Sequence, residues 1–248
     1  MKCIVLAAGY GTRLYPLTEN FPKPLLEVKG KTILDWLLED IDSTETIKEY
    51  VVVSNHRYAE HFYKWSEGVN LKVPLTVLDD GSVSNDTRLG AVKDIQSAVD
   101  TIGCNNNLMV IAGDNLLDFT LADFISYYVK KQATCVMRYL EKDPDRLLKS
   151  GVVQVDSDDR VFNMEEKPAN PKSKWCTPPF YIYHKNDVPL IQKAIDENCD
   201  TDAPGSLLAW LCKQTKVYAM EMPGKRYDIG NLESYKTAQE QYKGVIKV

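Results

Sequence analysis

The stretch Lys2–Asp35, KCIVLAAGYGTRLYPLTENFPKPLLEVKGKTILD, decides how the rest of the chain is read. Its opening apolar run, Cys3 to Ala8, has the length and composition of a buried parallel strand. The chain then turns through Gly9 and Gly11 into a segment carrying Thr12, Arg13 and Lys23 among Pro16, Pro22 and Pro24. Glycines let a backbone approach an anion closely, and the N–H groups left unpaired in such a turn point towards it. A strand ending in this loop, with cations held nearby, is built to hold phosphate. It is not the dinucleotide fingerprint, because Leu14 occupies the third glycine position, and it is not a Walker loop, because no GK[ST] follows.

Beyond the loop, Thr32 stands as the cap of a helix whose Ile33, Leu34, Leu37, Leu38 and Ile41 fall on one face. Tyr50–Ser54 is a second buried strand, Asn55–Trp65 a polar-aromatic helix and Leu75–Leu78 a third strand. A polar loop leads to a helix with Leu89, Val92, Ile95 and Val99, and Leu108–Ala112 is the next strand, ending in Gly113-Asp114-Asn115. Thr120 and Asp123 suggest a capping box for the helix that follows. From Gly151 the pattern changes: Gly151–Val155 and Arg160–Met164 read as a hairpin, Phe180–His184 as a strand, and Asp187 as the start of a helix. A short helix over Gly205–Cys212, a strand over Lys216–Met222 and a helix capped by Asn231 complete the chain. The alternation predicts an α/β fold, Rossmann-like, three layers α/β/α around a mixed, mostly parallel central sheet. With no linker or repeat, residues 1–248 read as a single domain, with lobes 1–114 and 115–248 divided near Asp114.

The 248 residues suffice for a substantial core, and the formal net charge of −5 comes with no basic run of the kind nucleic acid requires. No apolar run reaches a membrane span and no signal-type N-terminus is present. The six cysteines are scattered without CxxC spacing, which argues against a disulfide or zinc framework and for a cytoplasmic protein. His56, His61 and His184 have no spacing that suggests catalysis. A homo-oligomer stays open.

The string from Leu6 to Asp35 resembles the signature of the sugar-1-phosphate nucleotidyltransferases, the pyrophosphorylases that make nucleotide sugars. The resemblance implies that Leu6, Ala8, Gly9, Gly11 and Thr12 line the nucleotide, and that Arg13 and Lys23 serve catalysis at the phosphates. Gly113-Asp114-Asn115 resembles the family's GDN element and Arg226-Tyr227-Asp228-Ile229-Gly230 its WxDxG element, with the Asp and Gly kept and Tyr227 not aligning to the Trp. These imply Asp114 and Asp228 as ligands of Mg²⁺. Gly151-Val152-Val153 and Glu165-Glu166-Lys167-Pro168 resemble the GVV and EKP elements, which implies Gly151, Glu166 and Lys167 on the acceptor, with Lys167 at its phosphate.

Two segments depart from the family. Asn85 stands where pyrimidine-using members have Gln, five residues before Gly90 at the pattern's Gly, so the resemblance places both on the nucleotide; the Asn85 amide can pair with uracil, thymine or, flipped, cytosine. Asp202–Leu208 replaces the E-x-T-D-like segment of hexose-specific members, which leaves a non-sugar acceptor such as phosphocholine, loaded from CTP, as the alternative. The implied activity is Mg²⁺-dependent nucleotidyl transfer from an NTP, dTTP, UTP or CTP, to a sugar 1-phosphate, releasing pyrophosphate. The partners are then the NTP and a phosphorylated small-molecule acceptor, with no nucleic acid and no membrane. The loop string argues against a metal-dependent glycosyltransferase, the retained Arg13, Lys23, Asp114, Lys167 and Asp228 against a silent nucleotide-binding subunit, and the PKPLL-to-GKTILD stretch against a molybdopterin- or isoprenoid-type cytidylyltransferase, which shares the opening loop. Because the sequence stops shortly after its last predicted helix, no β-helical acyltransferase segment is expected.

Overall fold

A computed structural model describes residues 1–246. The chain begins with β1 (Lys2–Leu6), a two-residue hairpin pair β2 (Glu27–Val28) and β3 (Lys31–Thr32), and α1 (Ile33–Ser43). There follow β4 (Tyr50–Ser54), α2 (Ala59–Gly68), β5 (Leu75–Asp79), α3 (Ala91–Ile102), β6 (Leu108–Ala112) and β7 (Asn115–Leu117). Next come α4 (Ala122–Lys131), β8 (Thr134–Leu140), α5 (Pro144–Leu147), β9 (Gly151–Val155) and β10 (Val161–Glu166). The last elements are β11 (Trp175–Thr177), β12 (Phe180–Tyr183), α6 (Leu190–Asp196), α7 (Pro204–Leu211), β13 (Val217–Glu221), β14 (Arg226–Asp228) and α8 (Leu232–Gln241). The class is the expected α/β, Rossmann-like one.

The chain forms two compact units of interleaved sequence: residues 1–88, 112–122 and 223–248 in one, residues 89–111 and 123–222 in the other. In the first unit β1, β4 and β5 pair in parallel, Cys3 opposite Tyr50 and Val53 opposite Leu78. All five residues of β4 are buried, as a central parallel strand requires. α1 covers this sheet with Ile33, Leu34, Leu37, Leu38 and Ile41, each 3 % exposed or less. Its start is closed by a reciprocal box in which Asp35 N donates to Thr32 Oγ1 (2.9 Å) and Thr32 N to Asp35 Oδ2 (3.3 Å). The late strand β14 pairs antiparallel with β7, so Asp228 lies opposite Asn115. Below them Leu14, Leu26, Val28, Ile33, Leu116, Ile229, Ala238 and Tyr242 form one apolar cluster. Tyr227 packs edge-on against Tyr242 at 5.6 Å and so fills part of this cluster.

The second unit is a mixed sheet. β12 runs antiparallel to both β6 and β8, β13 runs parallel to β8, and β9, β10 and β11 continue antiparallel. Gly151 is paired with Glu166 on one side and Thr177 on the other.

Three helix starts differ from the sequence reading, each because a polar side chain is engaged elsewhere. The helix expected from Asn55 begins only at Ala59, since Asn55 closes a turn onto Tyr58 N at 3.0 Å. The helix expected from Asp187 begins at Leu190, since Asp187 Oδ2 accepts from the Thr134 hydroxyl at 2.6 Å. In place of a Thr120–Asp123 box, Thr120 Oγ1 accepts from Ala122 N (3.1 Å) and Leu121 N donates to Asp40 (2.7 Å). The short strands β7, β11 and β14 carry too few residues to show a period and were not foreseen.

Truncating the fully buried Leu34 to Ala is expected to cost about 2–5 kcal/mol. Removing the cap with Thr32→Ala is expected to cost about 1 kcal/mol. Urea unfolding of both variants checks the order; a cap that costs more than the core leucine contradicts this account of α1.

Candidate active site

The Gly9–Gly11 loop is fixed from below by side chains that the motif does not advertise. β1 ends with Ala7 N donating to Val53 O (2.9 Å), and Asn55, one residue past β4, donates from Nδ2 to Ala8 O (2.9 Å). Gly11 lies in the left-handed region at φ +59° and opens a short 3₁₀ turn, Thr12–Leu14. Its carbonyl accepts from the buried Thr18 hydroxyl at 2.7 Å, and Thr18 O in turn accepts from Tyr58 OH at 2.7 Å. A side chain on Gly11 would meet Thr18 Oγ1 at 3.2 Å, so conformation and space both select glycine. Tyr10 OH reaches Ser82 Oγ at 3.2 Å. Gly9, Thr12 and Arg13 stay exposed above this frame. Among the described residues Arg13 has no hydrogen-bond or ion-pair partner, so its planar fork of donors is open to an anion.

Lys23 and Asp114, 91 residues apart in sequence, form an ion pair through Nζ and Oδ2, with the Lys23 side chain only 12 % exposed. Pro22 and Pro24 flank Lys23 on a short 3₁₀ turn, and Gly113 N donates to Leu6 O (3.0 Å), which seats the Gly113-Asp114 turn against the end of β1. The second Asp114 oxygen accepts from Asn115 Nδ2 (2.7 Å). Asn115 Oδ1 accepts from Arg226 (2.8 Å), and the same guanidinium lies 3.5 Å from Asp228 Oδ2. Ile229 N donates to Asp114 O at 3.2 Å, so the two carboxylate-bearing positions are neighbours across the β7–β14 ladder. Burial alone would raise the Asp114 carboxyl, but the charge and hydrogen bond of Lys23, with Arg226, outweigh it and hold the group below its usual value.

Among the described residues no three carboxylate, His or Cys groups converge as a metal cage. Two hard-oxygen carboxylates, one in the turn before β7 and one at the end of β14, fit Mg²⁺, which keeps waters and substrate phosphate oxygens for its remaining positions. Asp114 and Asp228 could therefore hold it.

Asn85 sits exposed on the 3₁₀ turn Asn85–Thr87 of the first unit, its side-chain amide without a hydrogen bond among the described residues. That turn is closed by Ser84 and Thr87.

In the second unit Gly151, Glu166 and Lys167 come together at the β9–β10 end. A Cβ on Gly151 would lie 2.6 Å from Thr177 Oγ1 and 2.8 Å from Glu166 Oε2, so the glycine is required by the protein's own packing. Burial raises the Glu166 carboxyl; Lys167 opposes this and Asp200 and Asp202 add to it. Lys167 adopts φ +46°, unusual for a side-chain-bearing residue, with its N–H held by Ser150 O (3.1 Å) and its Nζ 3.9 Å from Asp202 Oδ2. Gly90 lies in this unit too, against Thr201. The residues that sequence reading missed are Thr18, Asn55, Tyr58, Asn115, Arg226 and Thr201. Asn55 carried a signal, since it follows a buried parallel strand, where open α/β sheets place functional groups; the other bonds join residues with no shared pattern.

A glycine loop with an unpaired arginine, followed by a lysine-bound aspartate at a strand end, defines a phosphate-handling α/β protein. The Nucleotidyl transferase family matches residues 2–244, and the chain belongs to that family. Bifunctional protein GlmU of Methanocaldococcus jannaschii is 29% identical over 232 residues, 93% of this chain and 51% of its own length. Glucose-1-phosphate adenylyltransferase of Fervidobacterium nodosum is 25% identical over 248 residues, 94% of this chain and 59% of its own length. The chain thus spans little more than half of these relatives. Among solved structures, UDP-glucose pyrophosphorylase complexed with UDP-glucose superposes with a TM-score of 0.82 at 22% identity, covering 97% of each chain. UTP-bound UGPase from Acinetobacter baumannii gives 0.78 at 20% identity, covering 97% of this chain and 92% of its own. Both share the fold.

Because Asp114 is held low, its ion pair contributes stability above the ordinary carboxyl pKa and loses it as pH falls through the depressed value. Lys23→Met leaves burial dominant, so the Asp114 carboxyl is expected to titrate above its usual value in a ¹³C NMR titration. An unchanged Asp114 titration contradicts the pairing.

Glu166 has the opposite sign. Its raised value means the fold loses stability as pH rises from the ordinary carboxyl range through that value. Glu166→Gln is expected to flatten the stability curve over that interval, read by thermal melts.

Proposed function

We propose that the chain transfers a nucleotidyl group from an NTP to a sugar 1-phosphate, giving an NDP-sugar and pyrophosphate. The observation that carries this is the pinned Gly9–Gly11 loop with its unpartnered Arg13, in the same compact unit as the Lys23–Asp114 pair. The names of relatives and structural neighbours support the same class.

In the reaction one phosphate oxygen of the acceptor forms a bond to the α-phosphorus, and the bond from the α-phosphorus to the β-phosphate oxygen breaks. The attacking phosphate is already ionised at neutral pH, so no protein base or nucleophile is needed, and catalysis consists of positioning and charge neutralisation. Gly9, Gly11 and Thr12 offer backbone to the triphosphate, with Leu6 and Ala8 beneath the nucleoside. Arg13 stabilises the departing pyrophosphate. Lys167 holds the acceptor phosphate, and Gly151 and Glu166 face the acceptor's hydroxyls.

Asp114 and Asp228 would hold Mg²⁺, which when bound supplies charge neutralisation to the nucleotide phosphates. Lys23 and Arg226 already balance these two carboxylates in formal charge, so the pair has no surplus with which to attract a free dication. When a triphosphate binds, Lys23 would turn from Asp114 to phosphate, leaving the Asp114 and Asp228 carboxylates to hold the ion. Asn85 reads the base, and its free amide favours a pyrimidine. The free thiols and the absence of any helix long and apolar enough to cross a membrane, among the described residues, suit a cytoplasmic enzyme.

Asp114→Asn and Arg13→Ala are each expected to lose about 2 kcal/mol or more of transition-state stabilisation. The assay is pyrophosphate release across dTTP, UTP, CTP, ATP and GTP with glucose 1-phosphate and phosphocholine as acceptors. Near-unaltered release from either variant overturns the assignment. A profile confined to CTP and phosphocholine moves the acceptor class and keeps the reaction.

A further inference from the structure

Gly90 lies, in sequence, in the run that leads from the base-reading Asn85, yet the structure spends it elsewhere. We propose that Gly90 is a positioning residue for the acceptor, and that it works by seating the segment Thr201–Asp202. This rests on the nucleotidyl-transfer reading above.

The first turn of a helix has N–H groups with no partner inside the helix. In α3 two of them are taken by that segment: Ala91 N donates to Asp202 O (3.2 Å) and Val92 N to Thr201 O (3.1 Å). Those donors are therefore closed to a substrate phosphate. Gly90 precedes them at φ +94°, ψ 147°, where only glycine is at ease. A Cβ built on it falls 2.5 Å from Thr201 O and 2.9 Å from Thr201 C, backbone atoms that have no rotamer to escape into. The missing side chain is thus the space that the Thr201 carbonyl occupies.

What is seated there reaches the acceptor residues by two short routes. Asp202 Oδ2 lies 3.9 Å from Lys167 Nζ, the group assigned to the acceptor phosphate. Three residues on, Gly205 abuts the Glu166 carboxylate so closely that a Cβ would overlap Oε2. The segment 201–205 is held by α3 at one end and forms the wall of Glu166 at the other. A shift at Gly90 passes to Lys167 and Glu166 through two or three bonded contacts, all within one compact unit.

Two variants test this on the whole chain. Gly90→Ala inserts the Cβ. Ala91→Pro deletes only the N–H that holds Asp202 O, at the first helical position, where proline is tolerated and where ψ 147° at Gly90 already suits a following proline. Pyrophosphate release is measured with glucose 1-phosphate and the NTP that the unaltered chain turns over fastest. The expected result is a KM for glucose 1-phosphate raised about tenfold or more in Gly90→Ala and in the same direction in Ala91→Pro, with the KM for the NTP within about twofold. Amide exchange over residues 200–206 is expected to quicken in both variants. A raised KM for the NTP with that for glucose 1-phosphate unchanged overturns the proposal and returns Gly90 to the base. If the unaltered chain releases no pyrophosphate with any NTP and either glucose 1-phosphate or phosphocholine, the functional reading has failed, and the seating stands or falls on exchange: unchanged protection of residues 200–206 in both variants refutes it.

Discussion

The ion pair between Lys23 and Asp114 is the constraint on which the first unit depends. It ties the proline-bracketed end of the opening motif to the turn after β6, and that turn is fixed to β1 by Gly113 N and Leu6 O. From Asp114 the polar contacts run through Asn115 and Arg226 to Asp228. Two cations and two carboxylates are thereby held in a neutral arrangement over an apolar floor of Leu14, Leu116, Ile229 and Tyr242. A partly buried carboxylate without Lys23 would protonate or draw in water; with it, the group stays ionised.

That neutrality shapes the chemistry. An excess of carboxylates would bind a free dication tightly and keep it. On the proposed reading a balanced set would gain most from a triphosphate, whose phosphates would take the place of Asp114 beside Lys23. Arg13 stands unpaired on a loop whose carbonyls are pinned, and in the proposed reaction it would need little reorganisation as negative charge builds on pyrophosphate. The rigidity comes from beneath: Asn55, Thr18 and Tyr58 use buried hydrogen bonds to fix carbonyls of Ala8, Gly11 and Thr18.

Much of this was legible in the amino-acid sequence, for physical reasons that differ from place to place. Helix α1 and strand β4 announce themselves by period and by an unbroken apolar run. The loop glycines and Arg13 sit in one contiguous string. The Asp114 and Asp228 elements could be read by resemblance, but their adjacency could not, because β14 has only three residues and pairs with a strand more than a hundred residues earlier. Asn55 and Asp187 were misread as helix starters because a polar residue before a helix does not disclose that its side chain is bonded to another strand or turn. Gly90 was read by position in a motif, whereas what demands glycine there is a carbonyl from residue 201. Long-range contacts made by backbone atoms leave almost no trace in residue identity.

Reversal of the proposed reaction is the most direct measurement. Labelled pyrophosphate is supplied with Mg²⁺ and a panel comprising UDP-glucose, dTDP-glucose, ADP-glucose and CDP-choline, and the nucleotides are separated. The account predicts label in the nucleoside triphosphate for at least one member, with the phosphorylated acceptor released in equal amount. Absence of label across the panel, or loss of the sugar from an NDP-sugar that leaves free NDP, contradicts it.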